Sequence, residues 1–515
     1  MSHTRKIAQV RRKKQKSLGD QGVSFALPWH LHQRVLTLCG TGESGRSVTT
    51  IGGTRLPENV LLEIFDFYRK DDQGWHLLVH VCRRWRQIIF ESPRRLNLQI
   101  FCTNKTPVRK NLGIWPAFPI VIRCRYAGKY AKPRGESNVI AALKHPDRVC
   151  SVTLQVSGPS IGRVAAEMQE PFPVLTRLHI LSQGGDAPVL PGGFLGGSAP
   201  CLQEIVLYGV HFPALPTLLL STHDLTILDL HNIPSTGHIS PEAMVVCLAA
   251  LPRLKSFQIG FRLATPHPKQ TRTVPPATRA VLPSLTHLRF KGASEYLEDL
   301  VSQIDCPQLD AGIDISYLNQ LVDFEVGQLS KFINRSLGPK LTPFRHADVS
   351  FRISSVELRF TRVHQPCWLT DPADIQTRIY CNDFEWQVSH VAQVLSHISA
   401  LLPFVIHLNL YSTRGDSQSG GVDHADWQHF LSQFSTVKTL HVSQQLTKHV
   451  APALEDITEE IVAEVLPSLE LIRLKGLPGS SIEKFIASRQ LSGRPVTVID
   501  TEMVFEESLG SYTRQ

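Results

Sequence analysis

One short pattern recurs through most of this chain: L-x-x-L-x-L, with apolar substitutions. It reads VCSVTL at 149, LTRLHI at 175, LQEIVL at 202, LTILDL at 225, LKSFQI at 254 and LTHLRF at 285. ISSVEL at 353, VIHLNL at 405, VKTLHV at 437 and LELIRL at 469 follow, with LDAGIDI near 309 a shifted copy. The first six copies start 26, 27, 23, 29 and 31 residues apart. A unit of that length cannot bury its apolar face alone, so neighbours must stack. Within each copy, alternation sends the leucines to one face of a strand and the intervening residues to the other. Stacked strands then form a parallel sheet with one packed and one open face. SPEAMVVCLAAL (240–251) and ITEEIVAEVL (457–466) have helical spacing and are expected behind it. The gaps from 309 to 353 and from 353 to 405 are too long for one unit and predict insertions or a degenerate copy. The rival reading is an ordinary α/β fold around a parallel sheet.

Spacing and pattern resemble leucine-rich repeats of an irregular kind, since the asparagine of regular repeats is mostly missing and Asn232 is a lone candidate. The expected open-face residues are Arg177, His179, Glu204, Tyr208, Asp229, His231, His287, Arg289, Lys291, Glu357, Arg359, His407, Asn409, Tyr411, His441, Arg473 and Lys475. Of these, His287, Arg289, Lys291, Arg473 and Lys475 are the candidates for contacting a bound protein. GVDHADWQHF (421–430) holds Asp423, His424, Asp426 and His429, but without strict ligand spacing it reads as a helix start capped by Asp423 or Asp426.

Ahead of the repeats, residues 55–98 read RLPENVLLEIFDFYRKDDQGWHLLVHVCRRWRQIIFESPRRLNL. Pro57 suits the first turn of a helix. Val60, Leu61, Ile64, Phe65 and Tyr68 form one apolar stripe, and Leu78, Val81, Cys82, Trp85, Ile88 and Ile89 a second. Arg83, Arg84 and Arg86 are expected to face solvent. Two short helices cannot bury both stripes, so apolar surface is left over for docking. Leu56-Pro57, Val60-Leu61, Ile64-Phe65, Val81-Cys82-Arg83-Arg84-Trp85 and Ile88 together resemble the F-box. The continuation, SPRRLNLQIFCTNKTPVRKNLGIWPAFPIVI, is similar to the F-box family expanded in mushroom-forming fungi. The resemblance departs at DDQGWHLL, which stands where the family has another helix. It implies docking to the Skp-family adaptor, and through it to a cullin, by Leu56, Pro57, Val60, Leu61, Ile64, Leu78, Val81, Cys82, Trp85 and Ile88.

Gly40-Thr41-Gly42-Glu43-Ser44-Gly45-Arg46-Ser47 fits the phosphate-loop pattern G-x-x-x-x-G-K-[ST] except for Arg46. A planar guanidinium does not replace an ammonium at a tightly wrapped phosphate. Gly52-Gly53 and Pro57 follow where a long helix should run, and NKTP at 104–107 lacks the aspartate of a guanine-reading N-K-x-D. The match reads as part of a leader.

Net charge is +9, and Arg5, Lys6, Arg11, Arg12, Lys13, Lys14 and Lys16 all precede the first acidic residue, Asp20. The remainder is nearly neutral, so no general nucleic-acid surface is implied. RRKKQK reads as a solvated tail, with nuclear import as the functional alternative. The N-terminus is basic rather than apolar and shows no secretory signal. No apolar run approaches the roughly 20 residues of a membrane helix. The ten cysteines include no C-x-x-C and read as reduced thiols, mostly buried. His76 and His80 are four apart but lack the H-E-x-x-H glutamate, so they read as boundary residues. No reactive-cysteine signature or organised carboxylate pair is present.

The expected fold is α/β: a small helical F-box followed by an irregular leucine-rich-repeat-like solenoid with a parallel concave sheet and convex helices. The expected order is a basic leader (1–53), the F-box (54–95), a connecting α/β segment (96–147), the array (148–500) and a tail (501–515). The expected role is non-enzymatic and cofactor-free: a substrate receptor of an SCF-type ubiquitin ligase, cytoplasmic or nuclear, binding a target protein rather than nucleic acid or membrane. A free-standing interaction scaffold with a degenerate F-box is the alternative, and a nucleotide-binding protein through residues 40–47 a remote third.

Overall fold

The computed structural model describes residues 56–68, 74–103, 108–125, 136–184, 187–263, 278–309, 312–318, 326–337, 343–362, 374–414, 423–455, 465–474 and 482–500. The leader, the tail, residues 40–47 and Lys475 lie outside them. The chain divides into two compact units, residues 1–101 and 102–515.

Among the described residues of the first unit, the stretch expected as two helices forms three: α1 (Glu58–Tyr68), α2 (Gly74–Leu78) and α3 (Arg83–Glu91). The expected second stripe breaks after Leu78 because Cys82 caps a new helix. The Cys82 backbone is extended and its Sγ accepts the Trp85 N–H at 3.5 Å. That contact gives the C-x-x-W spacing a local physical cause. Leu61, Leu62 and Phe65 of α1 are buried, as are Trp75 and Leu78 of α2, Val79, and Ile88 and Ile89 of α3. Phe65 meets Trp85 edge-on with ring centroids 4.8 Å apart, and Trp75 Nε1 donates to the Gln99 carbonyl at 3.1 Å. Of the arginines expected in solvent, Arg83 and Arg86 are exposed and Arg84 is half-buried, and two of the three are also tethered. Arg84 Nη2 donates to the Leu56 carbonyl at 2.6 Å, and Arg86 Nε to the Val79 carbonyl at 3.0 Å.

In the second unit the repeats become strands. The described strands are β1 (Ile100–Thr103, at the boundary between units), β2 (Ile120–Arg125), β3 (Val149–Ser157), β4 (Arg177–Gln183), β5 (Glu204–Tyr208), β6 (Ile227–Ile233), β7 (Ser256–Phe261), β8 (Ala280–Val281), β9 (His287–Gly292), β10 (Ile304–Asp305), β11 (Ile313–Tyr317), β12 (His346–Phe351), β13 (Val356–Thr361), β14 (Ile375–Ile379), β15 (His407–Ser412), β16 (Thr439–Val442), β17 (Leu471–Leu474) and β18 (Thr497–Asp500). Short β8 and β10 pair with each other, and the other sixteen form one sheet.

The helices are α4 (Val108–Ile114), α5 (Glu136–Leu143), α6 (Gly158–Ala166), α7 (Leu215–Leu220), α8 (Pro241–Ala249), α9 (Ser294–Ser302), α10 (Gly327–Leu337), α11 (Phe384–His397), α12 (His424–Ser432), α13 (Gln444–Glu455) and α14 (Glu483–Leu491). The expected helix at 240–251 is α8, capped by Ser240 Oγ accepting the Ala243 N–H at 3.2 Å. Most of the one expected at 457–466 lies outside the described residues.

Register explains why the pattern works. Leu178, Ile205, Leu228, Phe257, Leu288 and Ile313 are successive cross-strand partners. All are at most 1 % exposed. A fully buried side chain of this size contributes about 1.5–3 kcal/mol. The architecture is an α/β leucine-rich-repeat-like solenoid: near-sequential parallel strands, with helices between them.

Three features depart from a plain array. First, the sheet order is β11-β14-β13-β12-β15, and β13 is antiparallel to both neighbours. ISSVEL, expected as a repeat, therefore runs backwards, and the long gaps hold β12 and β14 of this folded-back insert. Second, the stretch expected as a connector supplies β2, which pairs parallel with β3, so the sheet begins before residue 148. Third, Asn232 has φ +53° where the β6–β7 register shifts, so it serves a bulge.

Candidate functional site

In the first unit, α1 has two apolar faces. One is the buried face of Leu61, Leu62 and Phe65. The other carries Val60, Ile64 and Phe67, which are 38, 43 and 73 % exposed, with exposed Pro57 just before the helix. Steps of three, four and three residues put Pro57, Val60, Ile64 and Phe67 on one line along the helix. Solvated apolar side chains in a row, rather than scattered singly, mark a surface that meets a partner.

The expected docking residues separate on this geometry. Pro57, Val60 and Ile64 lie on the outward line. Leu56, Val81, Cys82 and Trp85 are half-buried. Leu61, Leu78 and Ile88 are 3, 6 and 4 % exposed and belong to the unit's interior, so they support the surface rather than form it. The single stripe read through Val60, Leu61, Ile64 and Phe65 is thus two stripes. Phe67 was missed, although its helical step from Ile64 is legible in the sequence.

His76 lies against Trp75 with ring centroids 3.7 Å apart. Burial, with the nearby His80 charge adding to it, pushes His76 down to about 4. Among the described residues no group of His, Cys, Asp and Glu could hold a metal ion. Asp423 accepts the Ala425 N–H at 3.2 Å and caps α12, as its position suggested. The described cysteines are all free, with Cys201 exposed. Burial holds the thiols of Cys102 and Cys306 up near 12.

On the open face of the sheet one cross-strand row is continuous. It runs Thr153, His179, Val206, Asp229, Gln258, Arg289, Asp314, Gln376, Arg359, Asp348, Asn409, His441 and Arg473. Its members are linked in places. Arg289 Nε lies 2.9 Å from Asp314 Oδ2, and Arg289 Nη1 donates to Gln258 Oε1 at 3.2 Å. Gln258 Nε2 reaches His231 Nδ1 at 3.1 Å, and Asn409 Nδ2 donates to Asp348 Oδ1 at 2.6 Å. The candidates His287, Arg289, Lys291 and Arg473 are exposed on this side, but they are spread from β9 to β17.

Glu357 departs from its expected solvent position. Its side chain is 1 % exposed and lies beneath three guanidiniums: Arg359 Nε at 2.6 Å, Arg378 Nη2 at 3.1 Å and Arg352 Nη2 at 3.1 Å. Burial alone would raise the carboxyl. Arg378, Arg359 and Arg352 outweigh it and hold the group below the usual carboxylate range. Neither Arg352, which lies just past β12, nor Arg378 on β14 was singled out in the sequence.

No family model matches the chain, and no curated protein matches it significantly. Among solved structures it is similar to the leucine-rich repeat-containing protein LegL7 from Legionella pneumophila, at 13 % identity and a TM-score of 0.25, over 78 % of this chain and 99 % of that one. The fold assignment rests on the strand order and register given above, not on that likeness.

Proposed function

We propose that the chain is a target-holding subunit of an SCF-type cullin-RING ubiquitin ligase. The outward line of Pro57, Val60, Ile64 and Phe67 docks the Skp-family adaptor, and the repeat array holds a target protein. Catalysis then belongs to other subunits, and this chain contributes proximity. The observation that carries the reading is that line of exposed apolar side chains on α1, beside the capped Cys82–Trp85 turn of an F-box-like motif. An adaptor that covers the line removes it from water, which is favourable at about 25 cal/mol per Å².

The test is co-purification with the Skp-family adaptor and the cullin, comparing wild type with Ile64→Asp/Phe67→Asp. Both positions are exposed, so the double variant should fold. Capture of both partners by wild type and loss in the variant is the expected result. A folded wild type that captures no adaptor sinks the reading. Adaptor capture without the cullin supports an interaction scaffold outside any ligase.

A further inference from the structure

The Glu357 cluster carries more positive charge than its own carboxylate neutralises. Asp348 stands opposite Arg359 across β12 and β13, so the three guanidiniums outnumber the two carboxylates by one, and exposed Lys291 raises the excess to two. Glu357 is 1 % exposed, whereas the side chains of Arg352, Arg359 and Arg378 are 50, 27 and 27 % exposed. Each guanidinium has five N–H donors, and the contacts to Glu357 engage only part of each fork. The carboxylate therefore orients the arginines from below and leaves donor edges toward solvent.

Lys291 extends the patch. It is exposed, and its Nζ stands 5.4 Å from the centre of the Tyr380 ring. Register places Lys291, Ser316, Arg378 and Glu357 in one cross-strand row. At about 4.8 Å per strand, Lys291 and Arg378 are about 10 Å apart at the backbone. One compact anion cannot neutralise charge spread over that distance. An extended chain with several carboxylates can.

We infer that this patch receives an acidic segment of a partner protein, several Asp or Glu side chains in extended conformation, laid across β9, β11, β14 and β13. This deepens the proposed function by giving the chemistry of the held target. Charge complementarity selects the occupant: a neutral segment would leave the two charges uncompensated, and a basic one would be repelled.

The probe is a fluorescent ten-residue peptide of alternating Glu and Ser, titrated by anisotropy against the full chain at low salt. Its Gln-Ser counterpart and a Gly-Ser peptide with one phosphoserine are the comparisons. Wild type should bind the Glu peptide and not the Gln peptide, and the affinity should fall as salt is raised. Lys291→Glu, which does not touch Glu357, should weaken binding about tenfold. Lys331→Glu, the same charge change at an exposed position on α10, should leave it unaltered. Binding of the phosphoserine peptide alone would overturn the inference in favour of a compact dianion site. Failure of wild type to bind the Glu peptide, or equal weakening by Lys331→Glu, also overturns it. Adaptor capture is scored on the same samples. Peptide binding without adaptor capture supports this inference and sinks the ligase reading. Adaptor capture without peptide binding does the reverse.

Discussion

The Glu298 carboxylate on α9 accepts the backbone N–H of Leu329, in the first turn of α10, at 2.9 Å. Its other oxygen accepts the Gln328 N–H at 2.6 Å. Glu298 is 5 % exposed, so one helix supplies the buried N-terminal cap of the next. Removing the acceptor leaves two N–H groups without it. Glu298→Ala should destabilise the array by about 1–3 kcal/mol, and Glu298→Gln by less because one oxygen acceptor is kept. Thermal unfolding of the two variants beside wild type checks the order.

The thiol cap at Cys82 makes a prediction of opposite signs. Cys82→Ala loses the acceptor for the Trp85 N–H and should cost about 1 kcal/mol, while Cys82→Ser substitutes a stronger capping group and should match or exceed wild type. Hydrogen exchange of the Trp85 amide during denaturant titration reports on the cap. Equal loss in both variants would show that the cysteine matters for packing rather than capping.

The two faces of α1 should separate in stability as they do in exposure. Phe65 is 1 % exposed and meets Trp85, so Phe65→Ala opens a cavity beside that ring and should cost about 3–5 kcal/mol. Phe67→Ala should fall within about 0.5 kcal/mol of wild type. Protease sensitivity of the first unit is the readout, and comparable sensitivity of the two variants would contradict the division.

Acid should act on both units, through different groups. His76 is held neutral, down to about 4, against 6.5 for the free side chain. The unfolded chain binds the proton first, so this contribution is present above pH 6.5 and declines as pH falls toward 4. His76→Phe should flatten that part of the first unit's pH profile. Glu357 has its folded value lowered below 4.5, so its contribution is full above that pH and is lost as pH falls through the lowered folded value. Glu357→Gln should remove that acid limb and cost about 3–5 kcal/mol near neutrality, because three arginines lose their buried counter-charge. Unfolding midpoints measured from pH 3 to 8 distinguish the two.

The array was legible because burial on one face imposes a strict alternation: Leu178–Ile180, Leu228–Leu230 and Leu288–Phe290 each announce a strand and its register. β12 escaped because its strand, HADVSF, places Ala347 and Val349 inward between polar neighbours, a weak copy of the pattern. The direction of β13 was not legible at all, since alternation reads the same from either end. In the first unit, helix count failed at Cys82, where a thiol replaces the usual hydroxyl or carboxylate cap. The Glu357 cluster draws on Arg352, Arg359 and Arg378 from three neighbouring stretches. Only the folded-back insert brings them together.

That insert also alters the order in which the sheet can be built. From β2 to β7 each new strand finds its predecessor waiting, so assembly can follow synthesis step by step. β12 has no such neighbour. Its place is three positions beyond β11, and the intervening sites stay empty until β13 and β14 have emerged and turned back. The solenoid therefore has a seam at which growth from the N-terminal side must halt, and its second half must start from a local hairpin of its own.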